Sequence, residues 1–431
     1  MILNKISTNF REITLGSVLA ISAKVIAIGC IFLMNLVIVR QIGVHEAGVF
    51  FLCLATVSFV ANVGRLGLDK SLVRFISSAK STDNMVKLHG VYRKAIAWGT
   101  SSCVIFASLF FLFRVPISVN IFNKSFLEPV LTIMIVAIPL IGLFTLHASS
   151  LQGLKKVLMS MISLSLIAPL CTLLALLTFG SNDALDVAYI YTASCAVAVV
   201  AAYFFWKIST SKITYQAKFS STQLRQSCIP LLGAVCCNQI VAWSSLILLG
   251  VWGSAEDVGI FAIAQRTALL TSLVLIGVNA ITAPKLSELI SQSRHNEVIK
   301  IARLAVRLSL VAAVPSFIVI AIYPEVILNI FGSEFIIAST ALIILAFGQL
   351  INNISGPVEA LLTMSGNELK VGQNFAVGAF LSIFLGILLI PNYGLLGAAI
   401  TQSTAVASLN LMGVFQVKRL FNFNVMYFWR S

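Results

Sequence analysis

Twelve runs of mainly apolar residues, most of them close to twenty residues long, restrict this chain to one kind of solvent. A helix crosses the hydrocarbon of a bilayer with roughly 20 such residues. The runs cover 15–39, 47–78, 95–113, 129–151, 157–179, 186–206, 227–251, 258–283, 304–323, 336–364, 371–390 and 394–417. They are too long for strands and lack an alternation of period two. The expected fold class is therefore all-α: a polytopic membrane protein with about 12 transmembrane helices. The second and tenth runs exceed one crossing, so they are expected to tilt, bend or project. The first run, after Lys5 and Arg11, is longer than a signal-peptide core of roughly 7–15 residues and is expected to be retained as a span.

Composition agrees, with 59% hydrophobic and 10% charged residues. Soluble domains run at roughly 45–50% and about 25%. The net charge of +14 does not point to nucleic acid, because the basic residues lie in short runs between apolar segments rather than in one stripe. With the N-terminus inside, 23 lysines and arginines fall on the cytoplasmic side and three (Arg40, Arg114 and Lys124) outside. The positive-inside rule then places both termini in the cytoplasm. The longest connections, near 79–94, 207–226 and 284–303, read as solvated loops that fix topology, with amphipathic pieces on the inner membrane face at Lys87–Lys94 and Glu288–Arg303 as the alternative. None is long enough for a separate catalytic domain. All eight cysteines sit in apolar segments without a C-x-x-C, which suits small buried hydrophobes.

The two halves repeat. Glu46-Ala-Gly-Val-Phe50 matches Asp257-Val-Gly-Ile-Phe261 at an offset of 211. Asn120 to Phe126 matches Asn329 to Phe335, and Gly153 falls on Gly366. This offset spans six helices, an even number, so the repeats are parallel. The expected domains are two six-helix bundles, 1–210 and 211–431, related by a pseudo-two-fold axis along the membrane normal. Two such bundles suit alternating access around a central cleft.

Charges inside the spans are few. Arg266 lies nine residues past Asp257, so about 14 Å deep in a hydrocarbon core of roughly 30 Å. An arginine there costs roughly 2.5–3.5 kcal/mol and rarely stays without a task. Lys24 and Arg65 fall near the depth of the inner leaflet. Arg65 suits either the cleft or a snorkelling position at the inner interface, with Asp69 one turn on. Arg266, Lys24 and Arg65 are the candidate substrate-binding residues, supported by Asp69, Gln265 and Glu359. Glu359, after Gly356-Pro357, is expected at the inner edge, and His147 in a solvated position. The net positive interior favours an anionic substrate. No H-E-x-x-H, G-x-S-x-G or P-loop occurs and no metal cluster is expected, so the chain does not read as an enzyme.

Three stretches carry a resemblance. Arg40 to Phe51 resembles the R-x-x-G-x-x-x-x-G-x-F signature of bacterial polysaccharide transporters. Arg65 to Ile76 is similar to their L-G-L-x-x-x-[LI]-x-R-F-I stretch, and Pro391 to Ile400 to their P-x-[YF]-G-x-x-G-A-A. The chain thus resembles the polysaccharide-transport branch of the multidrug/oligosaccharidyl-lipid/polysaccharide (MOP) exporter superfamily, whose typical members are O-antigen flippases. That resemblance implies a V-shaped two-bundle fold with a central cationic cavity in the bacterial inner membrane. It implies transfer of an undecaprenyl-diphosphate-linked oligosaccharide to the periplasmic leaflet. It also implies membrane lipids, a polysaccharide polymerase and a chain-length regulator as partners. No cofactor is expected, apart from coupling to a proton or sodium gradient. The acidic residue often found within the seventh helix of the family is absent, since the stretch reads Val241-Ala-Trp-Ser-Ser245. A drug or cation antiporter of the same superfamily is the first alternative, but it needs a buried carboxylate. A membrane glycan polymerase or acyltransferase is the second, and it needs longer outer loops.

Overall fold

The structure is a computed structural model that describes residues 2–210 and 221–427. The stretch 207–226 therefore lies partly outside the described residues. Backbone N–H and C=O groups have no partner in lipid, so apolar spans must satisfy them internally as helices. The order is α1 (Ile2–Gly64), α2 (Leu68–Ser81), α3 (Met85–Leu112), α4 (Arg114–Pro116), α5 (Leu127–Ile135), α6 (Ala137–Gly153), α7 (Val157–Met161), α8 (Ile167–Phe179) and α9 (Ala184–Ser209). There follow α10 (Ser221–Trp252), α11 (Ala255–Leu269), α12 (Leu273–Ser291), α13 (His295–Ile322), α14 (Pro324–Asn329), α15 (Ser339–Ser355), α16 (Val358–Met364) and α17 (Glu368–Phe421). No strand occurs among the described residues.

Among the described residues, ten helical segments are long and apolar enough to cross a membrane, which makes this a multi-pass membrane protein. Two of them, Ser22–Gly64 and Glu368–Phe421, have 43 and 54 residues. At 1.5 Å per residue these are about 65 and 80 Å long, more than twice the hydrocarbon thickness. Each is broken once, at Gly43 (φ 77°, ψ 175°) and at Gly394 (φ 50°, ψ −123°). Both are left-handed conformations that a Cβ disfavours.

The second and tenth apolar runs are not single helices. The 47–78 run breaks at Arg65–Gly67, where Leu66 and Gly67 have φ of 54° and 70° and α2 starts afresh. The 336–364 run breaks at Gly356-Pro357, where Gly356 has φ 63° and the proline cannot donate to the preceding turn. The basic stretches 79–94 and 284–303 are not loose loops either, because helices run through them to tight ends. Asn84 N–H donates to the Ala79 carbonyl and Asp83 N–H to Lys80, closing α2 in a Schellman turn. Arg294 N–H to Leu289 and Ser293 N–H to Ile290 close α12 in the same way.

The repeat extends to the helix boundaries. Met85 and His295 open α3 and α13, and Leu112 and Ile322 end them. Both pairs are separated by almost the same offset as the sequence motifs. Gly153 and Met364, which end α6 and α16, keep that offset as well, so the structure pairs Gly366 with Lys155 and not with Gly153 as the sequence match suggested. Two compact units result: Met1–Gly43 with Cys53–Val235, and Val44–Leu52 with Cys236–Ser431. In the first, Leu72, Ile76, Val91, Leu146, Leu151 and Leu224 form a core from α2, α3, α6 and α10. In the second, Leu286, Leu289, Val306, Leu361, Val417 and Val425 do so from α12, α13, α16, α17 and the C-terminal turn.

The segment Val44–Leu52 packs inside the second unit through the motif glycines of the repeat. A Cβ on Gly48 would lie 1.8 Å from the Ala255 carbonyl oxygen, and one on Gly259 would lie 2.7 Å from the Val44 carbonyl oxygen. Equivalent residues of the two repeats thus meet backbone to backbone, and only glycine permits it.

Candidate functional site

In the second unit, α11 starts with a capping box in which Ser254 and Asp257 bond each other's backbone N–H. The helix then carries Gly259 against Gly48, which brings the Val44–Leu52 segment alongside. Phe51 is therefore fully buried, and the Arg266 guanidinium carbon sits 3.9 Å from the centroid of its ring. Arg266 is half-buried. A cation over an aromatic face in a desolvated setting is stabilised by about 2 kcal/mol, which offsets much of the cost of placing it there.

Gln265, its neighbour on α11, faces a different group of side chains. It lines a cavity of about 20 Å³ with Gln349 of α15 and Gln402 of α17, room for one water molecule. Ser272 donates to Gln349 Oε1 at 2.9 Å, and Asn353 Nδ2 donates to Ser272 Oγ at 3.0 Å. The amide oxygens of Asn353 and Gln402 are buried without a hydrogen-bond partner. Glu359 is not among the residues that line this cavity. It is exposed in the first turn of α16, where the positive helix end favours a carboxylate.

In the first unit, Arg65 occupies the turn between α1 and α2 and is only 7% exposed. Its Nη2 donates to Asn62 Oδ1, while Nε is buried without a partner. Arg65 and Asp69 line one cavity of about 680 Å³, together with Asn62, Lys70, Thr145 and Gln152. Lys24 is half-buried on α1 and is not among the residues that line it. The structure thus brings Arg65 to Asp69 in one unit and sets Gln265 beside Arg266 in the other.

His147 corrects the expectation of a solvated histidine. It is 3% exposed, and its Nδ1 lies 3.0 Å from the Tyr92 hydroxyl. The Tyr203 ring meets it edge-on at 5.9 Å, and Tyr92 stacks on Trp206 at 4.0 Å. An aromatic enclosure and a hydrogen-bond partner at Nδ1 hold the imidazole inside the first unit. The cysteines are free, five buried and three half-buried. No group of three or more His, Cys, Asp or Glu that could hold a metal occurs among the described residues. Phe51, Gln349, Asn353 and Gln402 were not expected from the sequence. The amides had a signal, since Gln349, Asn352 and Asn353 interrupt an apolar run at helical spacing.

Comparison with known proteins agrees with this architecture. A family model described as "Polysaccharide biosynthesis protein" matches residues 14–290. The chain is 23% identical over 406 residues to the probable low-salt glycan biosynthesis flippase Agl15 of Haloferax volcanii, covering 92% of this chain and 81% of that protein. It is 21% identical over 441 residues to stage V sporulation protein B of Bacillus subtilis, covering 94% and 83%. Among solved structures, the lipid II flippase MurJ in its inward closed conformation is similar, with a TM-score of 0.74 at 17% identity over 93% of this chain and 87% of that one. An inward-facing multidrug resistance MATE family transporter of the MOP superfamily gives 0.76 at 12% identity over 94% and 98%. These likenesses show the fold.

Proposed function

Since the chain belongs to the polysaccharide biosynthesis protein family, we propose that it is a flippase for an anionic, lipid-linked oligosaccharide. Its relatives are flippases and transporters, and the chain is not an enzyme. The observation that carries the reading is Arg266, a half-buried guanidinium on a membrane-length helix, held over Phe51. A cation maintained at such depth suits a substrate that brings its own negative charge.

The carrier is undecaprenyl diphosphate, and the glycan is an O-antigen or similar surface repeat unit. The twelve crossings arise from division of α1 and α17 at Gly43 and Gly394. Both termini are cytoplasmic, in the inner membrane. Arg266, Lys24 and Arg65 attract the diphosphate, and the neutral amides Gln265 and Gln349 suit sugar hydroxyls. Asp69 moderates the charge of Arg65, and Glu359 supports the rim. The two six-helix bundles, 1–210 and 211–431, rock to expose the glycan outward, driven by a proton or sodium gradient. A polymerase and a chain-length regulator receive the product. Deletion followed by lipid extraction tests the reading. Prenyl-linked repeat units accumulating on the inner leaflet are expected, and unchanged lipid pools would overturn it.

A further inference from the structure

One turn differs between the repeats in a way that their shared geometry does not explain. In the second unit α16 ends in a Schellman turn: Asn367 N–H donates to the Leu362 carbonyl and Gly366 N–H to Thr363, with Gly366 at φ 76°. In the first unit α6 ends identically, with Lys156 N–H to Leu151 and Lys155 N–H to Gln152. Here the left-handed residue is Lys155, at φ 60°. Glycine adopts that conformation freely and a lysine resists it. Asp83 and Ser293 hold the same left-handed position at the ends of α2 and α12, so the turn tolerates a side chain there, and it is the charge at Lys155 that the turn leaves unexplained.

Lys155 has two companions. Lys80 lies in the last turn of α2, and its Nζ donates to the Leu154 carbonyl. That bond ties the end of α2 to the end of α6 and gathers Lys80, Lys155 and Lys156, all exposed. Partial burial, and then repulsion from Lys156 and Lys155, holds Lys80 below the ordinary lysine range. The helix ends account for part of this charge, at about half a negative charge each. Asp83, in the α2 turn, supplies one more. Three lysines still exceed these by about one positive charge. By position in the matching turns, their counterparts in the second unit are Ile290, Gly366 and Asn367, none of them charged. The turn itself does not require lysine.

We propose that Lys80, Lys155 and Lys156 form a docking site for the phosphate of a lipid headgroup at this end of the first unit. The ammonium groups are exposed, and Lys80 spends one of its three donors on Leu154, which leaves two for a phosphate oxygen. An anionic phospholipid and a prenyl diphosphate share this chemistry. The site does not depend on the flippase reading, because a membrane protein that moves no glycan would bind the phospholipid equally well.

The test uses the full-length protein in phosphatidylcholine nanodiscs, titrated with phosphatidylglycerol or with undecaprenyl diphosphate and read by thermal shift and native mass spectrometry. Lys155→Gly removes the charge while supplying the residue the turn prefers. It should hold or raise the melting temperature in pure phosphatidylcholine and weaken anionic-lipid binding about fivefold, as one juxtamembrane cation does. Replacement of all three lysines by glutamine should weaken it about a hundredfold. Lys300→Gln, a control in the second unit, should leave the midpoint in place. A loss seen for phosphatidylglycerol assigns the site to bilayer lipid, and a loss confined to undecaprenyl diphosphate assigns it to a lipid carrier. Unchanged binding in the triple variant, equal binding of phosphatidylcholine, or a lower melting temperature for Lys155→Gly in pure phosphatidylcholine would each overturn the proposal.

Discussion

Gly48→Ala offers the sharpest test of how the second unit is assembled. The added Cβ would lie 1.8 Å from the Ala255 carbonyl oxygen, and ordinary contact begins near 3.4 Å. The two backbones must therefore move apart before the methyl group fits. The obstacle is main chain rather than the end of a flexible side chain, so rotamer changes give no relief. Overpacking of this kind costs about 1–3 kcal/mol, and a backbone clash belongs at the upper end. Alanine returns about 0.5–1 kcal/mol through helix propensity. The net loss is about 2 kcal/mol, which for a unit of this size lowers the melting temperature by about 4–8 °C. Gly259→Ala meets Val44 at 2.7 Å and should lose less, whereas Gly233→Ala meets nothing within 4 Å and should gain slightly. Thermal unfolding of the three purified variants in detergent gives the ranking. A Gly48→Ala protein that melts with the parent, or above Gly259→Ala, would refute the close crossing.

Further expectations follow from the polar side chains. Arg266→Ala should abolish glycan delivery at normal protein level, whereas Arg266→Lys should retain part of it, because lysine keeps the charge but not the flat stacking on Phe51; normal surface polysaccharide in Arg266→Ala would remove it from the mechanism. Asn374 and Gln416 exchange two hydrogen bonds, at 3.1 and 2.8 Å. Asn374→Leu alone should lower stability by about 1–3 kcal/mol, and the Asn374→Leu/Gln416→Leu pair by less, as a double-mutant cycle in thermal unfolding will read. Lys285, 2.9 Å from Glu288, holds that carboxylate below its ordinary value of 4.5. A lowered carboxylate adds stability that is present above the unfolded pKa and lost as pH falls through the folded one. Glu288→Gln should therefore flatten the acid limb of a melting-temperature profile below about pH 4.5 and leave the neutral region unchanged.

Much of this fold was legible because the bilayer permits so few solutions. Run length alone separates helix from strand, and the repeat seen in the motifs reappears in the ends of α3 and α13 and of α6 and α16. The interruptions were less legible. Gly356-Pro357 announces its break, but hydropathy passes straight through Arg65–Gly67, where the left-handed Leu66 is an ordinary apolar letter. The candidate cations were visible as anomalies of depth. Their surroundings were not, because those come from residues far apart in the chain. Phe51 of α1 reaches Arg266 of α11, and Tyr92 of α3 reaches His147 of α6. Placing His147 by hydropathy suggested water, whereas a distant tyrosine partners its Nδ1.

The central claim is that this chain moves a charged, lipid-linked glycan between leaflets with Arg266 engaged on the substrate. Its most direct test is transport by the purified protein in liposomes loaded with an undecaprenyl-diphosphate-linked oligosaccharide bearing a lectin-accessible sugar. The account predicts that glycan from the shielded leaflet becomes lectin-accessible with the parent protein and not with Arg266→Ala. Accessibility equal to that of protein-free liposomes, or undiminished in Arg266→Ala, would contradict it.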